Sequence, residues 1–184
     1  MVKEKIDWDG FKKEISGIRF EDNEDFVASR SKDYYWYSPL LSEVLDGKTG
    51  DLVVIPSSQD EVKKVAAAVG KYKIPLTLRG GGTGNYGQCV PLEGGVIMIM
   101  TKLDKIIKFT KDSVRTEAGI RISRLDDAAR NLGLELLMYP STRLTATIGG
   151  FLAGGSGGCG GTGGSGGTSG GGSFGIFITW TNPP

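Results

Sequence analysis

The 184-residue chain contains no histidine. That removes histidine-activated serine or cysteine nucleophiles, histidine metal ligands and histidine-linked cofactors together. Cysteine is nearly absent too: Cys89 and Cys159 are too few for a disulfide framework or a four-thiolate zinc site, which fits a reducing compartment and no bound metal. Charge of one sign is missing, because 22 basic and 21 acidic residues leave a net charge of +1 and no positive field for nucleic acid or an anionic membrane. No stretch reaches the roughly 20 apolar residues of a membrane span. The first ten residues carry charges where a signal peptide needs its apolar run, so a soluble, cytoplasmic protein is expected.

Two further deficits concern the C-terminal side. After Arg143 no Asp, Glu, Lys or Arg occurs in the last 41 residues, while 13 of the 30 glycines fall within Gly154 to Ser173. That composition reads as a linker that loses more conformational entropy on ordering than it recovers, so 159–184 is expected to be a poorly ordered tail. Before it the reading is a lead-in segment, 1–46, and one domain, 47–158.

Within that domain the element signals alternate. Asp51 to Ile55 is a short apolar run closed by Pro56, as in a buried strand. Ser58 and Glu61 have capping-box spacing; Val62, Val65, Ala66 and Val69 form a helical stripe, and Gly70 offers a left-handed stop. Ile74 to Leu78 predicts a second strand, parallel to the first. Val96 to Met100 is a further apolar run, and Ile106–Thr110 with Val114–Glu117 predicts a pair joined at Lys111 and Asp112. A helix is expected from Ser123 to about Leu132, with Ser123 and Asp126 at its cap and Gly133 as stop, followed by a strand over Leu134–Tyr139. Two small lobes, one strand-helix-strand and one mixed, account for these elements. The tyrosines Tyr34, Tyr35 and Tyr37 lie in an aromatic cluster that suits either stacking on a ring or core packing.

The most informative segment is Arg79-Gly-Gly-Gly-Thr-Gly-Asn-Tyr-Gly-Gln88. Consecutive glycines after a strand let backbone N–H groups converge on an anion at close range, which is the chemistry of a pyrophosphate cradle. Gly82 to Gly87 satisfies G-x-G-x-x-G, but the following Val90-Pro91-Leu92-Glu93-Gly94-Gly95 breaks the helix that a nicotinamide site needs. Gln88 and Cys89 stand where a nucleoside-triphosphate loop has Lys and Ser or Thr. A second glycine-bearing segment, Pro140 to Gly158, suggests a ligand gripped from two sides.

Pro75-Leu-Thr-Leu-Arg-Gly-Gly-Gly-Thr-Gly84, the Val90-Pro91 step, Val114-Arg-Thr-Glu-Ala-Gly119 and Ala146-Thr-Ile-Gly-Gly-Phe-Leu-Ala-Gly-Gly-Ser-Gly158 together resemble the FAD-binding domain of the FAD-linked oxidases, the p-cresol methylhydroxylase or vanillyl-alcohol oxidase type. Lys32 to Leu40 is similar to the lead-in of bacterial members. The resemblance implies an α+β fold of two subdomains holding FAD, here with its C-terminal part missing or replaced by the glycine-rich tail. By that resemblance Arg79 and the backbone of Gly80, Gly81, Gly82, Thr83, Gly84 and Asn85 serve the pyrophosphate, and Pro140, Ser141, Thr147, Ile148, Gly150 and Gly157 line the other side. Some members tether the flavin through a histidine in the first loop; Thr83 stands near that place here, so non-covalent FAD is expected. The implied reaction passes hydride from an alcohol or hydroxy acid to the flavin and electrons onward to an acceptor.

Family members continue past the second glycine loop, whereas here the sequence changes character at Cys159, as a reading-frame shift would make it. The expected consequence is an open flavin site with exposed apolar surface and little turnover. No residue is assigned a catalytic role; Arg79 and Arg143 suit charge balance or a carboxylate substrate, or structural pairing. The alternative is a truncated, non-catalytic FAD-binding fragment or interaction module.

Overall fold

The computed structural model describes residues 6–34, 37–111, 113–155, 159–160 and 178–180. The expectations for Tyr35, Asp112, Gly157 and most of the 159–184 tail fall outside the described residues. The chain divides into two compact units, Met1–Lys102 and Leu103–Pro184.

The first unit is built on a four-stranded sheet in the order β1-β2-β4-β3. β1 (Arg19–Glu21) runs antiparallel to β2 (Leu52–Ile55), pairing Phe20 with Val54, while β2 and β3 (Leu76–Arg79) each run parallel to β4 (Val96–Ile99), which lies between them. The expected parallel strands are thus not neighbours; the chain leaves a gap at the first crossover and fills it with β4. Pleating assigns each residue of the sheet to one of two faces. Leu52, Val54, Val96 and Met98 meet Phe11 of α1 (Trp8–Glu14), Ile15 just after it, and Val65, Ala68 and Val69 of α4 (Gln59–Lys71). Val53, Ile97 and Ile99 meet Val27 of α2 (Glu24–Arg30) on the opposite face. A short α3 (Pro39–Leu45), with no buried residue, precedes β2.

The Ser58 cap forms as predicted, its hydroxyl accepting from Glu61 N at 3.2 Å. The reciprocal half of the box is displaced, however: Glu61 accepts from Ser57 N at 2.6 Å and from the Ser57 hydroxyl. Nor does Gly70 stop the helix, which runs on to Lys71; the left-handed residue is Lys73, at φ 53.

In the second unit β5 (Ile106–Phe109) and β6 (Val114–Thr116) form the expected antiparallel pair, and α5 (Ile122–Arg130) packs on β7 (Leu134–Leu136). Gly133 takes the predicted left-handed conformation, φ 71, after the helix. The expected strand over 134–139 is two, β7 and β8 (Met138–Tyr139), followed by α6 (Ile148–Ala153). Ile120, Ile122, Leu125, Ala129, Leu136, Ile148 and Phe151 form this unit's core. Within the tail, β9 (Cys159–Gly160) pairs with β8 and β10 (Ile178–Trp180) pairs with β7, both antiparallel.

The α5 cap differs from expectation. Arg121 occupies the N-cap position with no side-chain capping bond, and Asp126 is 1 % exposed in the body of the helix rather than at its start. A carboxylate so buried must find donors.

Candidate cofactor site

In the first unit β3 delivers the chain into the glycine loop, and the backbone stays in bends and turns until β4. No helix follows Gly82–Gly87, as Pro91 and Gly94-Gly95 require, so the helix N-terminus of a nicotinamide site is missing. The last residue of β3 is still in the ladder, its carbonyl accepting from Met100 N at 2.9 Å. Beyond it, among the described residues, no hydrogen bond engages the backbone N–H of Gly80, Gly81, Gly82, Thr83, Gly84 or Asn85. Gly80 to Gly84 are only half exposed. Six successive donors, held at the surface without acceptors, are what an anion needs from a protein backbone.

Glycine is required there by space as well as by conformation. Gly82 has φ 65, and a Cβ on it would fall on the Arg79 guanidinium, 2.9 Å from Nε. A Cβ on Gly84 would meet the Gln88 carboxamide and stand 3.0 Å from Asp33 Oδ2. A diphosphate bridge suits this loop: it offers amides, and its glycines carry no Cβ to hold an anion away from them.

Arg79 itself is 8 % exposed and turned inward. Its Nη1 donates to the carbonyls of Arg30 at 2.9 Å and Lys32 at 2.6 Å, and to Cys89 Sγ at 3.1 Å. The guanidinium thus serves the floor of the loop. Cys89 in turn donates its backbone N–H to Asp33 Oδ1 at 3.4 Å, and its thiol donates to the same oxygen. Burial, then the bond to Asp33, push the Cys89 thiol up to about 12, against the pull of Arg79. The Tyr37 hydroxyl accepts from Asp33 N at 3.0 Å, and burial raises its pKa. Tyr34, by contrast, is 73 % exposed.

The second glycine segment has a different character. Its backbone donors are largely committed within the second unit: Arg143 N to Pro140 O at 3.0 Å, Ala146 N to Thr142 O at 2.9 Å, Ile148 N to Ile120 O at 2.9 Å and Gly149 N to Ala118 O at 2.8 Å. Thr147 is 2 % exposed and caps α6, its hydroxyl accepting from Gly150 N at 3.3 Å. Ile148 is buried in the core, whereas Ser141 and Gly150 are exposed and Pro140 half-buried. Arg143 donates to Asp126 Oδ2 at 3.4 Å and lies 5.0 Å above the Tyr139 ring. Asp126 also accepts from Arg130 Nε at 2.9 Å and Leu136 N at 3.2 Å. Sequence reasoning ranked the first segment as the most informative but expected both to line the ligand, read Asp126 as a helix cap, and gave Asp33 and Cys89 no part in the site. An Asp or Cys signals a buried role only through partners distant in sequence, and nothing local marks it.

The sequence profile of the family described as FAD binding domain matches residues 50–170. D-lactate dehydrogenase of Archaeoglobus fulgidus is 36% identical over 108 residues, which make up 58% of this chain and 24% of that protein. Glycolate oxidase subunit GlcD of Escherichia coli is 30% identical over 109 residues, 58% of this chain and 22% of the relative. Among solved structures, alkyldihydroxyacetonephosphate synthase superposes with a TM-score of 0.69 at 22% identity, covering 82% of this chain and 32% of that one. A substrate-bound p-cresol methylhydroxylase gives 0.60 at 19% identity, covering 74% and 26%. The chain therefore spans about a quarter of the length of the curated relatives it matches. The glycine loop lies inside the matched region, as do β2–α4–β3 and the Thr147–Gly150 turn, and the chain belongs to the FAD binding domain family, with the α+β fold of the p-cresol methylhydroxylase type.

Proposed function

We propose that this chain is the FAD-binding portion of an oxidoreductase that takes hydride from an alcohol or hydroxy acid, with FAD held non-covalently. One observation carries the reading: the six successive amides of Gly80 to Asn85, unpartnered among the described residues at the end of β3. The names of the relatives, a D-lactate dehydrogenase and a glycolate oxidase subunit, support the substrate class. When bound, FAD supplies the two-electron acceptor that no amino-acid side chain provides.

In this reading the chain's own residues bind and orient. The N–H groups of 80–85 would donate to the diphosphate oxygens, and Arg79 keeps the loop floor in place from beneath, its guanidinium being occupied by Arg30 O, Lys32 O and Cys89 Sγ. Thr147 shapes the second segment by capping α6. No histidine is present in the 184 residues to carry a covalent link. A small-molecule substrate and a separate electron acceptor are the implied partners. Among the described residues no helix is long and apolar enough to cross a membrane.

The second reading, a fragment that binds FAD without turnover, is favoured by the share of the relatives that the chain spans. Both readings are tested by titrating the purified chain with FAD and with NAD while following visible absorption and flavin fluorescence. Saturable uptake of FAD but not of NAD, with free FAD released on denaturation, is expected. A chain that takes up no FAD overturns both. Reduction of the bound flavin by D-lactate or glycolate separates the first from the second.

A further inference from the structure

The side chains beneath the glycine loop form a connected set that anion binding by the loop does not itself require. Arg79 immediately precedes the loop and Cys89 follows its last residue, Gln88, so ten positions of sequence separate two residues that touch: Arg79 Nη1 donates to Cys89 Sγ at 3.1 Å. The same sulfur donates to Asp33 Oδ1, which also receives the Cys89 backbone N–H. Asp33 is anchored from its own side, its N–H donating to the Tyr37 hydroxyl at 3.0 Å. The carbonyls of Arg30 and Lys32, from the stretch just before Asp33, hold the Arg79 guanidinium. Both ends of the loop are thus tied to one short segment, residues 30–33.

We propose that Arg79, Cys89 and Asp33 form a clasp that closes the base of the glycine loop, with Asp33 as the positioning residue that sets the loop for the anion its amides bind. The inference rests on the FAD reading for the identity of that anion; the clasp itself is read from the side chains. The sulfur is the relay, because it must accept from Arg79 and donate to Asp33 at once. A thiol or a hydroxyl does both, whereas a thiolate or a methyl group does not. Asp33 Oδ2 is shielded from water and has no hydrogen-bond partner among the described residues, and it is the atom lying 3.0 Å from where a Cβ on Gly84 would stand. A buried carboxylate oxygen left unpaired costs free energy that a tie serving packing alone does not need.

The clasp has a titration signature. The groups facing the thiol are Asp33, Arg79 and Tyr37; burial and Asp33 push it up to about 12, while Arg79 opposes them. Because the folded value is raised, the thiol's contribution is fully present below the ordinary thiol range and is lost as pH rises through about 12.

The test measures, in a Cys159→Ser background, the pH dependence of Cys89 alkylation by iodoacetamide alongside FAD affinity. In Asp33→Ala the alkylation midpoint falls towards the ordinary thiol value of about 8.5, and FAD binding weakens roughly tenfold or more, as expected when a charge-assisted tie is lost. Cys89→Ala weakens FAD binding to a similar degree, and Cys89→Ser restores most of it. An unchanged alkylation midpoint in Asp33→Ala, or wild-type FAD affinity in Cys89→Ala, overturns the clasp. Should Asp33→Ala not fold, Asp33→Asn carries the same titration, since the neutral amide also lowers the midpoint. If the Cys159→Ser chain, unsubstituted elsewhere, takes up no FAD, the FAD reading falls, while the thiol titration still decides for or against the clasp.

Discussion

At the scale of single residues, the polar side chains taken out of water do the organising. Asp126 is 1 % exposed, and its two oxygens join three separate pieces of the second unit: Arg130 one turn along α5, the backbone N–H of Leu136 in β7, and Arg143 in the segment before α6. The bond to Asp126 raises the already high pKa of Arg130 further, so this partner stays charged at every accessible pH. Both arginine side chains are nearly half exposed, at 47% and 42%, and find water when the carboxylate is removed; the Leu136 N–H, in a fully buried strand, does not. Asp126→Ala is therefore expected to lower stability by about 2–3 kcal/mol, most of it the unpaired buried donor. Asp126→Asn, which keeps an acceptor, should lose about half of that. Urea denaturation of the three proteins measures the difference, and equal losses in both variants would assign the effect to charge instead. The sequence placed Asp126 at a helix cap because Asp is favoured there; its true role depends on Arg143, 17 positions away.

At the scale of elements, legibility followed the length and regularity of the apolar pattern. α4, with Val65, Ala68 and Val69 on one buried face, was readable from its spacing, as were β2, β4 and the β5–β6 pair. The loop after β3 was readable as irregular backbone with close approach, because glycine density there has a direct steric meaning. Three seven-residue helices, α1, α2 and α3, were not, since two turns hold too few apolar positions to define a period. Strand order was equally hidden: nothing local to β3 says that β4 will lie between it and β2. α1 illustrates how such an element persists. Its hold on the sheet rests on Phe11, which is fully buried and meets Trp8 and Tyr72 edge-on at 6.0 and 6.1 Å, with Ile15 from the residue after the helix beside it. The Lys71–Glu14 ion pair that also links α1 to α4 is solvent-exposed and screened. Phe11→Ala should accordingly cost about 3–5 kcal/mol, the range for emptying a buried aromatic site. Glu14→Gln should change stability by well under that and lose its small effect in high salt. Denaturant unfolding monitored by tryptophan emission compares the two, and a larger loss for Glu14→Gln would show that charge, not burial, fixes α1.

At the scale of the whole chain, charge and apolar surface are distributed so as to leave little protection against association. The net charge is +1 and the isoelectric point about 7.7, and every charged residue lies at or before Arg143. Each unit has its own buried cluster, yet both also expose large apolar side chains: Leu40 at 79%, Tyr86 at 76% and Val44 at 64% in the first, Leu144 at 69% in the second. Tyr86 sits in the glycine loop itself, and Leu40 and Val44 lie on α3, which buries nothing. Near neutral net charge no long-range repulsion keeps such surfaces apart. Solubility should therefore pass through a broad minimum around pH 7.7, because no histidine titrates there and the charge stays near +1 down to about pH 6; light scattering at fixed protein concentration should fall only towards about pH 4.5, where carboxylates protonate, or about pH 10, where lysines and tyrosines titrate. The shift must act on both sides of the minimum for charge to be the cause. Scattering that does not respond to pH, but falls when Leu40 and Val44 are both replaced by Ser, would assign association to the uncovered face of α3 rather than to the missing repulsion.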